Sequence, residues 1–281
     1  MSSAAPAVKA MGTWELWTQA WNPDPWAISL FLLVQGLFLG LGGWKLRRKL
    51  VIFSLGNLVL LLALISPIAT LGETYLFSVH MVQHLLLEIV AVPLMLLGLP
   101  PRIAAWPMRW SWWRSLVRTL SQPMLAWTIG ISTLWIWHLP LLYNAALENR
   151  GIHFCQHLSF IISATIFFNA LLDPIERFRL DGPRAIIYLF SAAALNSLLA
   201  ILLTFAPEGL YPYYLNPRDP LHVLSLIRGD WGMSPALDQQ TGGAIMWVMG
   251  GLVFFLILLG VLARWYAKNP EGSPSPLRGN L

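Results

Sequence analysis

Two pairs of histidines spaced four residues apart, His80 with His84 and His153 with His157, are the features of this sequence best suited to chemistry. On a helix, side chains four apart lie one above the other, so each pair can present both rings on one face. Such a pair can chelate one metal ion, or each ring can ligate with a partner on another helix. Glu88 continues the first series one turn further, giving a polar seam of His80, His84 and Glu88 down one face. His138 adds a fifth imidazole. The alternative for every member is a hydrogen bond that packs one helix against another.

The surroundings make the polar seam costly. His80, His84 and Glu88 lie in an apolar run from Tyr75 to Leu99, about 37 Å long at about 1.5 Å per residue, against about 30 Å for the hydrocarbon core of a bilayer. An ionisable group at that depth is read as a functional site that needs a partner. Composition sets the class: 57% of the 281 residues are hydrophobic and only 11% charged, which describes a chain whose main solvent is lipid. The net charge of +5 does not indicate nucleic acid, because the basic residues sit in short loops between apolar runs. A single cysteine, Cys155, rules out an intrachain disulfide and a Cys-x-x-Cys site, leaving histidine as the plentiful strong ligand for transition metals.

Windows of spanning length occur at Trp26 to Trp44, Leu50 to Thr70, Tyr75 to Leu99, Gln122 to Leu142, Gly151 to Leu172, Arg184 to Phe205 and Gly242 to Trp265. The expected fold is all-α, a polytopic bundle of seven transmembrane helices forming one domain over residues 26–266. An external segment, 1–25, precedes it without the pattern of a signal peptide, and a disordered cytoplasmic tail, 267–281, follows. Pro93 and Pro140 predict kinks or early stops.

Fourteen of the 18 Lys and Arg residues fall after windows 1, 3, 5 and 7. The excess of positive charge marks the cytoplasmic side, so the amino terminus is expected outside and the carboxyl terminus inside. On that topology all six histidines come out at the external side. His222 belongs to the segment 207–241, which is too polar to span and carries a short helix over His222 to Ile227.

Copper suits an imidazole set with nearby thioethers, and Met81, Met233 and Met246 lie toward the same side; ordinary lipid-facing or packing use is the alternative for each. Glu88 is either a partner that tunes a histidine, a proton carrier, or a carboxyl bonded to a neighbouring helix. Asp238 is expected to cap a helix, with metal ligation as the alternative. Gly242 and Gly243 allow close approach of another helix, and Asn169 and Asn196 read as interhelical hydrogen-bond glue. Cys155, two residues from both His153 and His157, is expected to be a small buried hydrophobe on the far face.

His80-Met-Val-Gln-His84, Trp137-His-Leu-Pro140 followed by Leu142-Tyr143-Asn-Ala-Ala-Leu147, His153-x-x-x-His157, and Asp238-Gln-Gln with Gly242-Gly243 and Met246-Trp247 together resemble the CtaG family. The likeness covers about two thirds of the chain and rests on the combination of motifs. It implies a multi-spanning, non-catalytic assembly factor for caa-type cytochrome c oxidase in the bacterial plasma membrane, handling copper on the outer side and partnering oxidase subunits. The family's histidine motifs fall on His80, His84, His138, His153 and His157, and its last-helix motif on Asp238, Gly242, Gly243 and Met246. His222 matches none of them. The competing expectation is a haem-carrying electron-transfer protein with bis-histidine ligation. A di-metal oxidase would want more carboxylates than Glu88.

Overall fold

A computed structural model describes residues 12–177 and 179–268, and contains helices but no strand among them. The expected tail, 267–281, lies almost wholly outside the described residues, as does the start of the external segment.

Prolines and polar caps set the helix boundaries. After a short helix, α1 (Thr13–Gln19), Asp24 accepts a hydrogen bond from the Trp26 amide and Pro25 opens α2 (Pro25–Gly40). The second window is not one helix. Ser66 caps and Pro67 begins a new segment, so α3 (Arg47–Ile65) breaks into α4 (Pro67–Thr74).

The third window starts at α5 (Phe77–Leu85), passes through a π-helical turn (Leu86–Ala91) and continues as α6 (Val92–Gly98). Pro93 has no N–H to bond the carbonyl four residues earlier, and the chain answers with a wider turn just ahead of it rather than an early stop. The stretch after it holds two helices, α7 (Pro101–Ala105) and α8 (Ser111–Leu120), with Arg109 stacked on Trp106 and Trp110.

Pro140 does produce a bend: α9 (Pro123–Trp137) and α10 (Pro140–Glu148) meet at 72°. Asn149 then accepts from the amides of Gly151 and Ile152, opening α11 (Arg150–Leu172). The bundle ends with α12 (Gly182–Phe205) and α13 (Pro235–Lys268). Because α13 starts at Pro235, the motif Asp238 to Gly243 lies on a helix, and the polar segment ends earlier than expected.

Five helical stretches are long and apolar enough to cross a membrane, six if the bent pair α9–α10 counts as one. The expected first span falls short: α2 has 16 residues, about 24 Å at about 1.5 Å per residue. Large apolar side chains such as Phe190 and Phe205 on α12 face outward, 71% and 78% exposed. In water that surface would be a liability, whereas in lipid it is ordinary. The chain is a multi-pass membrane protein.

Helix α11 packs against both α6 and α9, and α5 lies between α4 and α13. One end of the bundle is roofed by α1 and by the segment between α12 and α13. Leu16, Leu71, Tyr75, Val223 and Ile227 form a small apolar cluster there. Thr70 Oγ1 donates to the Ala20 carbonyl at 2.6 Å, and the Leu221 amide to Tyr75 Oη at 3.0 Å. The short helix expected from His222 begins slightly later, its π-helical part spanning Leu226–Asp230.

Candidate metal centre

All five predicted ligand histidines come together beneath this roof. The break at Tyr75–Leu76 starts α5 three residues before His80, the Asn149 cap starts α11 three residues before His153, and the bend at Pro140 ends α9 just before His138. Three helices thus bring imidazoles to the same end of the bundle. Ring centroids are 4.2 Å apart for His80 and His84, 4.1 Å for His153 and His157, 5.4 Å for His84 and His157, and 6.3 Å for His84 and His138. His80, His84, His138 and His157 are buried.

The ring nitrogens are what distinguish the cluster from helix packing. His80 Nε2, both nitrogens of His84, and the Nε2 atoms of His138, His153 and His157 are buried without a hydrogen-bond partner among the described residues. Each such group costs about 1–3 kcal/mol when left unsatisfied. A neutral imidazole has one lone-pair nitrogen, so the five rings could offer up to five donors to an electrophile, and the ligand-type atoms of His80, His84 and His157 lie within 4.8 Å of one another. The residues therefore fit a metal ion.

Hydrogen bonds on the far sides of two rings bear on which nitrogen is presented. His138 Nδ1–H donates to the Leu134 carbonyl at 2.7 Å, leaving Nε2 as the lone-pair atom. His80 Nδ1 is 2.9 Å from Tyr214 Oη and 2.8 Å from Tyr143 Oη. Tyr214 donates its own proton to the Gly72 carbonyl at 2.8 Å, which leaves its oxygen able to accept from His80 Nδ1–H. Burial pushes the Tyr214 phenol well above its ordinary range, so that proton stays in place. With its proton on Nδ1, His80 turns an unprotonated Nε2 toward the cluster.

Two glycines and an acid seat the first histidine helix. A Cβ on Gly72 would come within 2.8 Å of the His80 backbone, so only glycine lets α4 approach α5 this closely. Gly242 allows α13 to meet Phe77 in the same way, while Gly243 faces Thr204 on α12. Asp238 caps a helix, though not its own: its carboxylate accepts from the amides of Phe77 at 2.7 Å and Ser78 at 2.9 Å at the start of α5. Both oxygens are thereby engaged.

Below the rings a cavity of about 60 Å³ is lined by His84, His138, Glu88, Met81, Met246 and Asn196. Glu88 is on its wall and makes no hydrogen bond to a described residue. Both methionines are buried and form part of an apolar cluster with Phe77 and Tyr143. Asn196 bonds the Met246 carbonyl and Asn169 bonds Ser121, as interhelical glue. His222 is exposed and stands outside the ring cluster. Cys155 is exposed rather than buried, because the face of α11 opposite the inward histidines is the outside of the bundle.

Four participants escape a reading of the sequence. Glu73 lies with His153 and His157 in a second group whose ligand-type atoms are within 4.8 Å of one another. Its position seven residues before His80 matches two helical turns, a signal hidden by the break between α4 and α5. Tyr143 sits within a quoted motif without a role attached. Tyr214 and Tyr211, whose hydroxyl bonds the His138 carbonyl at 2.8 Å, come from the irregular segment before α13, where no periodicity predicts a direction.

Fold and site together define a class: a helical, multi-pass membrane protein that gathers ligand-type side chains at one end of its bundle. Within that class the chain belongs to the cytochrome c oxidase caa3 assembly factor family, Caa3_CtaG, the profile of which matches residues 30–268. It is 25% identical over 243 residues to an uncharacterized protein of Mycobacterium leprae, covering 80% of this chain and 35% of that one. An uncharacterized protein of Mycobacterium bovis is 24% identical over 212 residues, covering 69% of this chain and 30% of the relative. The chain thus spans about a third of the length of the curated relatives it matches. No solved structure matches it.

Proposed function

We propose that this protein is a non-catalytic assembly factor of the bacterial plasma membrane that binds a copper ion through its histidine cluster and delivers it to a cytochrome c oxidase subunit. The observation that carries the reading is the set of six buried, partnerless imidazole nitrogens on three helices. The first ligands are His80, His84 and His157, with His153 and His138 at the margins. Imidazole suits copper, and three ligands with an open position suit a cargo that must leave again. Met81 and Met246 are close enough to the cavity to add soft character. Glu88 is a candidate proton carrier on that wall.

The proposed topology has seven crossings, with α2 as the short first one. Positive charge after alternate helices supports an external amino terminus and a cytoplasmic carboxyl terminus, which puts the histidine end of the bundle outside. Membership in an oxidase assembly family supports the partner. The haem alternative is disfavoured by space: the cavity beside His84 and His138 is about 60 Å³, whereas cofactor pockets occupy about 300–1,000 Å³.

The test is elemental analysis of detergent-purified protein beside a His80→Ala, His84→Ala variant. About one copper per chain in the parent and little in the variant is expected; equal copper in both would overturn the site, and a porphyrin spectrum would overturn the cargo.

A further inference from the structure

The second ligand-type group, Glu73 with His153 and His157, differs from the inner group in one informative way: it is open to the outside. Glu73 and His153 have side chains 30% and 14% exposed, whereas His157 is buried. Glu73 and His153 line a polar crevice of about 490 Å³, with Glu148, Arg150, Arg218 and Asn22 among its other walls, and His157 stands behind His153. The crevice opens at the roofed end of the bundle. Gln83, fully buried, donates to Glu73 Oε1 at 2.9 Å and fixes the carboxylate, leaving Oε2 turned to His153 at 3.8 Å. His153 Nε2 and His157 Nε2 are buried and partnerless.

We infer that Glu73, His153 and His157 form an entry station for the metal ion, which receives it from the crevice and hands it through His157 to His80 and His84. The inference rests on the copper reading above and adds a route to it. His157 belongs to both groups, so the ion can exchange one ligand at a time without meeting bare hydrocarbon. The donor sets give the transfer a direction. A carboxylate is a harder ligand than imidazole and holds copper less well, so an outer set of two imidazoles and one carboxylate binds more weakly than the inner imidazole set. The carboxylate also attracts a cation into a crevice that carries Arg150 and Arg218 on its other walls.

The experiment follows Cu(I), supplied as a coloured chelator complex, passing to the full-length protein in detergent by stopped flow, with final occupancy measured on the same samples. Glu73→Gln keeps the shape and the bond to Gln83 but removes the anionic ligand. It is expected to slow uptake at least tenfold while final occupancy stays within twofold of the parent, which also shows that the variant is folded. Glu148→Gln removes a charge from the same crevice but belongs to neither group, and is expected to load at the parental rate. An unchanged rate in Glu73→Gln overturns the entry station and leaves the copper reading standing. Equal slowing in both variants reduces the effect to general attraction and overturns it too. Loss of final occupancy in Glu73→Gln makes Glu73 a ligand of the resting site, contrary to the inference. A parent protein that takes up no copper removes both proposals together.

Discussion

Removing both phenols behind His80 tests whether the cluster is held ready by its neighbours. In the double variant Tyr143→Phe, Tyr214→Phe the rings remain, but His80 Nδ1 loses its hydroxyl partners at 2.8 and 2.9 Å, and the link from Tyr214 to the Gly72 carbonyl is also lost. A buried N–H without a partner favours the other tautomer, in which the proton sits on Nε2 and the ligating lone pair is withdrawn from the cluster. Removing a partner that orients a metal-binding histidine costs about 10–100-fold in affinity, or about 1.4–2.8 kcal/mol at about 1.4 kcal/mol per decade. Each single variant leaves one phenol in place, so the singles are expected within a few-fold of the parent and the double to exceed their sum. The assay is competition for Cu(I) against a chromophoric chelator at pH 7. Tyr211→Phe is the control, since its hydroxyl meets a backbone carbonyl rather than a ring nitrogen. A double variant that binds within twofold of the parent, or a Tyr211→Phe variant as weak as the double, would refute the reasoning.

Other perturbations separate the scaffold from the site. Asp238→Ala strands two buried amides at the start of α5 and is expected to lower stability by about 3 kcal/mol or more, seen as an earlier thermal transition of the detergent-solubilised protein. Gly72→Ala places a methyl group against the His80 backbone, which cannot rotate aside; overpacking of about 1–3 kcal/mol is expected, with a loss of copper affinity in the same chelator assay. At the opposite end, burial raises the Asp181 carboxyl, but its bonds to Lys268 and Arg264 outweigh that and hold it below its ordinary range. A lowered carboxyl contributes stability above its unfolded pKa and loses it as pH falls through the folded value. Asp181→Asn should therefore be less stable than the parent at pH 7, and the gap in melting temperature should narrow below about pH 4.

Periodicity carried the sequence reading where helices are straight and failed where they are not. The pairs His80 with His84 and His153 with His157 share faces because α5 and α11 are regular over those residues. Glu88, one turn beyond His84, lines the same cavity although a π-helical turn runs over Leu86–Ala91. Pro140 announced its bend, since a missing N–H has a local consequence that a sequence can display. Pro67 did the same unnoticed inside a hydrophobic window, which took α3 and α4 for one span. The burial expected of Cys155 failed because helical geometry gives the opposite face but not what lies against it.

By itself the sequence determined that the chain belongs in lipid, that its helices carry paired imidazoles, and that the motifs of one family run through it, because composition and spacing are local properties. Only the tertiary structure decided that imidazoles from α5, α9 and α11 converge, that Asp238 caps a helix 160 residues away along the chain, and that Glu73, Tyr143 and Tyr214 complete the surroundings of the rings. Those relations depend on how close one helix can come to another. That distance is set by glycines such as Gly72 and Gly242 and by the fit of the surfaces around them, which no single segment contains.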